Sequence, residues 1–526
     1  SSDLHLSFRS MHLLWGGTPE NGVTAQEDTA VETIPFEGTT ITKGGNYEIL
    51  EGKYAGNITV NLTDTSEPVN IAIKGGITYN GTQQVMFINV KNADEVTITN
   101  DGHEVNCKPS DAHFLDVSSG NVTVNGGTYV TATRNVVMAY AGTTTLNDMT
   151  TETSGYAVTS SGSAKVVVNR GTHTHSNTNQ DRANFWIFNG GHMTLNDVTA
   201  ISEEAVILNS TGTVDVNGGD FKTTGTKSCF VNNSANLTIN KGSTTEGNFV
   251  SEGASCINNS WGQVRINGGS FTTDAGIAVK NRGGLRLNGG TVEAPNGGTA
   301  IDISGESGDV QLNGGTIRNS VTGVRVADAG DSEIDLKAVT FENNTDDISL
   351  GNDQQINIKK SFVGTAKIRV DDPARGRQIT TDNEDSPYQK ELNLISRNEG
   401  YVIGYKKVTD GAEFRYLAPA NGNIVNAENA KATADLGAGE QELDTATVVP
   451  KGTTVTVTAN IPEGAEFLGW SAVCDDHSVL KLGDDQTEHF EMPGCNVTVE
   501  ALYQGGNVDP VNPGGGSSSD VVTGIA

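Results

Sequence analysis

The sequence predicts an all-β solenoid, a rod of stacked coils built from short parallel strands, and three observations carry that expectation. The first is composition. Of 526 residues 64 are glycine and 13 proline, 35% are apolar and 19% charged, so uncharged polar residues fill the rest. That balance excludes collagen and charge-driven disorder and favours β-structure with many turns. The second is a repeat, apolar-x-apolar-Asn followed by a turn pair, recurring every 21 to 27 residues. The third is strict alternation of inward apolar and outward polar residues through every copy, in the same register.

The motif asparagines are Asn125, Asn147, Asn169, Asn196, Asn217, Asn240, Asn267, Asn288 and Asn313, with Lys337 and Lys359 in the same place in two later copies. A unit of about 23 residues has room for two or three strands but no helix, and it cannot bury its own apolar face, so it must stack on its neighbours. Val122, Val166, Leu237 and Val264 stand three residues before the Asn, and Val124, Leu146, Ile239 and Leu287 one before it. Both columns are inward. Asn ends the strand because it tolerates the left-handed conformation, and stacked amides can bond one another along the axis. Gly126, Gly127, Gly218, Gly219, Gly268 and Gly269 are the turn residues that follow.

A second strand is expected eleven residues before the Asn, at Phe114, Val136, Val158, Phe185, Val206, Cys229, Cys256 and Ile277. Beside it runs another apolar ladder, Leu115, Val137, Thr159, Trp186, Ile207, Phe230, Ile257 and Ala278. Either the second ladder is an exposed binding stripe, or the strand bends there and buries both. Cys229 and Cys256 fall on successive coils, close enough for a bridge or a stacked thiol pair.

This geometry resembles the right-handed parallel β-helix, a fold shared by pectate lyases, polygalacturonases, phage tailspikes and bacterial adhesins. The resemblance covers 46–362, after an N-terminal segment 1–45, and it specifies fold far more strongly than function. A cap and connector are expected at 363–419. In 420–503 the pattern changes: Gly452 with Val455 to Ala459, then Glu463 to Trp470, then Phe490 to Tyr503. Those residues resemble a divergent member of the internalin B-type bacterial repeat family, which implies a bacterial surface protein with this domain as a β spacer. Cys474 and Cys495 then read as a disulfide of an extracellular domain. The Gly/Ser/Pro stretch 504–526 reads as a linker towards an anchor.

A formal charge of −30 argues against nucleic acid as a partner. No apolar run is long enough to span a membrane. No metal-binding, nucleotide-binding or hydrolase motif is present, so neither cofactor nor metal is expected. On the outward column only Asp215 and Asp335 are acidic, five coils apart, too far to share a sugar. Asp346 and Asp347 resemble part of a polygalacturonase motif whose other parts are missing. The best polar cluster surrounds the longest insertion, where His175, Asp181 and Arg182 lie near Trp186, while His173 occupies a core column. The expectation is an extracellular adhesin that binds host or microbial glycans, or a surface protein, at that loop. The alternatives are a polysaccharide hydrolase or lyase and a purely structural stalk.

Overall fold

The computed structural model describes residues 30–505, apart from 82–85, 177–181, 226–227, 275, 306–308, 329–333, 360, 375, 382–391, 408–412, 420–421, 446 and 476. The chain winds through a parallel β-solenoid of about 13 turns and ends in a small β domain. Each full coil visits three sheets in the same order. In one coil Asn121–Asn125 lies in the first sheet, Thr128–Val130 in the second and Val137–Ala139 in the third. The sheets have 15, 13 and 16 strands respectively, all paired in parallel. Pairing runs from Val31–Thr33 to Leu392–Ser396, past both ends of the repeat motif. The outermost coils lack the Asn-Gly turn, which is why periodicity alone does not reveal them.

The motif asparagines form one continuous ladder. Each Nδ2 donates to the Oδ1 of the residue one coil before it, from Asn147 on Asn125 at 2.8 Å to Asn313 on Asn288 at 2.8 Å, with all six intervening links between 2.6 and 2.9 Å. Backbone register holds the same asparagines opposite one another from Asn125 to Asn240. Past Asn313 the place is taken by Lys337 and Lys359, whose ammonium groups clamp the Asp335 carboxylate at 3.4 and 3.3 Å. The turn that follows needs a left-handed residue. Where glycine is absent Asp148, Arg170 and Asp197 adopt it, with φ of 53°, 59° and 49°. At Gly219, φ is 103° and a Cβ would lie 2.3 Å from the Val198 carbonyl, so only glycine fits.

A second asparagine ladder lies inside the third sheet. Asn209 donates to Asn232 at 3.0 Å, Asn232 to Asn259 at 2.8 Å and Asn259 to Asn281 at 2.7 Å. All four are at most 1% exposed. Each also donates to a main-chain carbonyl at the corner leading back to the first sheet, such as Ala235 for Asn232 and Gly262 for Asn259. In the second sheet the inner column reads Tyr129, Thr151, His173, Ala200, Phe221, Phe249, Phe271, Val292, Ile317 and Phe341. Phe221, Phe249 and Phe271 stack face to face at 5.3 and 4.6 Å.

The two apolar ladders beside the third sheet resolve into a bend. Leu115, Val137, Thr159, Ile207, Phe230, Ile257 and Ala278 are all buried, as are Phe114, Val136, Val206, Cys229 and Cys256. Among the described residues these ladders form no exposed stripe along the rod. The cause is a corner at which two consecutive side chains point inward before alternation resumes; Thr159, in register with the outward Met138 and Trp186, is instead covered on the outer face. The corner also slips by a residue relative to the motif Asn, so Val158 pairs with Val137, and Phe185 with both Val158 and Ile207. Trp186 consequently faces out while Phe185 faces in. Cys229 and Cys256 are buried free thiols with no bond between them. The Cys256 thiol is turned instead to the Phe249 and Thr272 carbonyls, at 3.3 and 3.1 Å.

Beyond the solenoid the hairpin Tyr401–Lys407 and Glu413–Pro419 straddles two cores. Leu417 belongs to the solenoid core, Tyr416 and Ala418 to that of the C-terminal domain. That domain packs two four-stranded sheets, with Ala465–Cys474 paired to Val497–Gly505 in one and Thr454–Ala459 between Ala430–Asp435 and Thr487–Glu491 in the other. Cys474 and Cys495 are bonded across a separation of 21 residues.

Two stability tests follow from this architecture. Asn169→Ala, at a half-buried rung, should cost about 1 kcal/mol in chemical denaturation, whereas Asn232→Ala, which orphans buried amides on both sides, should cost about 2–3 kcal/mol. Equal costs would show that the amides bond no better inside than at the surface. Reduction of Cys474–Cys495 should destabilise the C-terminal domain by about 3 kcal/mol, read as an earlier unfolding transition that the Cys474→Ala/Cys495→Ala double variant reproduces.

Candidate functional site

The outer face of the third sheet carries an aromatic stack. Trp186 lies between Tyr156 of the preceding coil, at 4.8 Å and 23°, and Phe188 of its own strand, at 4.1 Å and 18°. The register puts residue 156 beside 183, so Tyr156 and Phe188 flank Trp186 on opposite sides. Ala183 and Ala205 form the floor, with the part-buried Leu208 and Val231 continuing the apolar surface over the next coils. The Arg182 guanidinium sits 5.1 Å from the Tyr156 ring centre, a cation–π cap at that end. Tyr156 is only 7% exposed, so the accessible ring is that of Phe188. What Trp186 offers a ligand is its edge.

The residues proposed from sequence separate in three dimensions. Trp186 and Arg182 belong to the stack. His175 does not: it is 1% exposed and faces the interior, its Nδ1 3.0 Å from the Ser202 hydroxyl. The strand Thr172–His175 alternates, so His173 and His175 both point inward from the second sheet. Asp181 lies outside the described residues. Burial pushes the His175 imidazole down to about 4 and that of His173 to about 3. His173 bonds Thr151 Oγ1 at 2.9 Å through Nδ1, and Nε2 has no partner. Both rings are neutral core groups at physiological pH, which makes them packing residues.

The acids are engaged individually. Asp215 lies 3.2 Å from His192 Nε2 on the first sheet. Asp346 holds Arg369 at 2.5 Å and Arg397 at 3.2 Å, and Asp347 accepts from Asn344 Nδ2 and the Lys367 amide, so this pair ties down the last coils. Among the described residues no group of three or more His, Cys, Asp or Glu could hold a metal ion. Among the described residues no helix is long and apolar enough to cross a membrane.

Sequence reasoning missed Tyr156, Phe188 and the pair His113 and Asp116, whose Nδ1 and Oδ1 lie 2.6 Å apart on the same outer face. The alternation in Phe185-Trp186-Ile187-Phe188 was the available signal: with Phe185 inward, Trp186 and Phe188 must share the outside.

Residues 424–507 match the model of the divergent InlB B-repeat domain. No curated protein and no solved structure matches the chain.

The buried imidazoles set a pH dependence. Their folded-state values lie below the ordinary 6.5, so the stability they contribute is complete above pH ~6.5 and is lost as pH falls towards 4 and then 3. Below pH 6.5 the unfolding free energy should fall by up to about 1.4 kcal/mol per pH unit for each histidine. His173→Phe, the residue type found farther along its column, should flatten that acid limb by one proton relative to wild type. An unchanged slope in paired pH-dependent denaturation curves would contradict the neutral, buried assignment.

Proposed function

We propose that the protein is an extracellular bacterial surface protein whose solenoid binds glycans through the outer face of its third sheet, with the C-terminal repeat domain as spacer. A β-solenoid followed by a surface-type β-repeat fits a bacterial surface protein. The observation that carries the binding reading is the Tyr156–Trp186–Phe188 stack, a cluster of three aromatic rings on the outer face of one sheet. The outward residues of the first sheet, by contrast, run Thr123, Thr145, Val167, Thr194, Asp215 and Thr238, nearly all polar. Aromatic rings offer flat apolar faces to the C–H faces of sugars, and neighbouring polar groups satisfy the hydroxyls. The net charge of −30 favours neutral over acidic chains.

A glycan array probed with the full chain tests this directly. Phe188→Ala should lower affinity for the retained glycans by about tenfold with little change in melting temperature, since one stacked contact is lost at a part-exposed ring. Trp186→Ala should weaken binding and also destabilise the coil, because it leaves Tyr156 and Phe188 without their shared partner. An empty array, or glycan binding indifferent to Phe188→Ala, would refute the reading. Release of reducing or unsaturated sugar ends from a polysaccharide panel would replace it with an enzymatic one.

A further inference from the structure

The outer face of the third sheet is ordered in columns, and one of them carries a second ring in line with the stack. Tyr140 follows Met138 by two residues, as Phe188 follows Trp186, and the strand pairing sets Met138 opposite Thr159 and Thr159 opposite Trp186. Tyr140 and Phe188 therefore stand in one column, two coils apart, or ~10 Å at a strand spacing of ~4.8 Å. Tyr140 is 43% exposed, the more open of the two rings.

Beside Tyr140 lies a built polar group. Asp116 is 5% exposed yet faces outward, one coil before Met138. Its carboxylate meets His113 Nδ1 at 2.6 Å, so the edge that His113 turns to a ligand is Nε2. The proximity of Asp116 is felt at Tyr140, whose phenol is raised above its ordinary range by burial and then by that carboxylate. Asn135, donating to Thr159 Oγ1 at 2.9 Å, lines the coil between this group and the stack.

We infer that His113, Asp116 and Tyr140 form a second subsite for the glycan held by the aromatic stack, and that the ligand is an extended, linear oligosaccharide lying parallel to the rod axis. The inference rests on the glycan-binding reading and narrows it to a ligand class. A chain running along the axis meets Phe188, crosses one coil and meets Tyr140, whose ring takes a sugar face while His113 Nε2 and Asp116 take its hydroxyls. A compact branched glycan or a single sugar reaches one subsite only. The register of a parallel solenoid imposes this: equivalent positions repeat along the axis, so two rings in one column, such as Tyr140 and Phe188, are joined by a line parallel to it.

Ladders of cello-, xylo-, manno- and chito-oligosaccharides from dimer to hexamer, titrated calorimetrically into the full chain, test the assignment. For at least one ladder the affinity should rise by about tenfold or more between dimer and tetramer, as the second subsite becomes reachable on a tethered chain. Tyr140→Phe should keep most of the rise. Tyr140→Ala and His113→Ala should abolish it and leave dimer affinity unchanged, whereas Phe188→Ala should weaken every length. A ladder that binds with length-independent affinity, or whose rise survives both Tyr140→Ala and His113→Ala, overturns the second subsite and leaves the glycan reading standing. Failure of every ladder at every length overturns the linear-chain assignment, and the array result then decides the glycan reading separately.

Discussion

Everything in this rod depends on one constraint: a coil of two dozen residues cannot satisfy its own main chain or bury its own apolar face, so each residue must be completed by the residue above it. Parallel pairing in register meets that demand, because the partner of a given side chain is the equivalent side chain one coil away. Asparagine exploits this fully, since its amide carries a donor and an acceptor and an identical neighbour can accept what it donates. The Asn125–Asn313 ladder is that logic at the surface, and the Asn209–Asn281 ladder is the same logic in the core, where an unpaired amide would be expensive. Where the column changes to lysine the repulsion of like charges forbids self-stacking, and Asp335 is recruited between the two ammonium groups.

The same rule shapes the outer face. A rigid inner lattice fixes the outward columns at constant spacing, so function can be placed on them without disturbing the fold. In the third sheet the columns change character along the axis, from the His113–Asp116 pair through Asn135 and Thr159 to the Tyr156–Trp186–Phe188 stack and on to Leu208 and Val231. The bend that turns two successive side chains inward is what frees Trp186. Without the one-residue slip between this coil and its motif Asn, the tryptophan would occupy the position held by Ile207 and Phe230 and would be core.

The repeat motif made most of the fold legible. Columns one and three residues before each Asn are buried from Val122 to Leu336, and those positions could be read because strand and turn sit at a constant distance from one another. The third-sheet strand was less legible because the corner between it and the next motif Asn varies by a residue, so counting back from the Asn mixed inward and outward residues: Val158 and Phe185 belong with Ile207 and Phe230 in one column. The cluster around the longest insertion lost His175 for a different reason. Nearness in sequence brought His175 and Trp186 together on paper, but they belong to different sheets, one facing the core and the other solvent.

Sequence by itself determined what is periodic here: the solenoid, its Asn turns, its inner apolar columns and the change to an InlB-type repeat domain. Those properties repeat, and repetition shows without coordinates. The tertiary structure alone decided what occurs once. Whether Cys229 and Cys256 bond, whether Trp186 points out, and which ring stacks upon it depend on corner geometry and on contacts between coils. Two turns of chain with the same pattern can differ by a single residue in a loop, and in a strand one residue exchanges inside for outside.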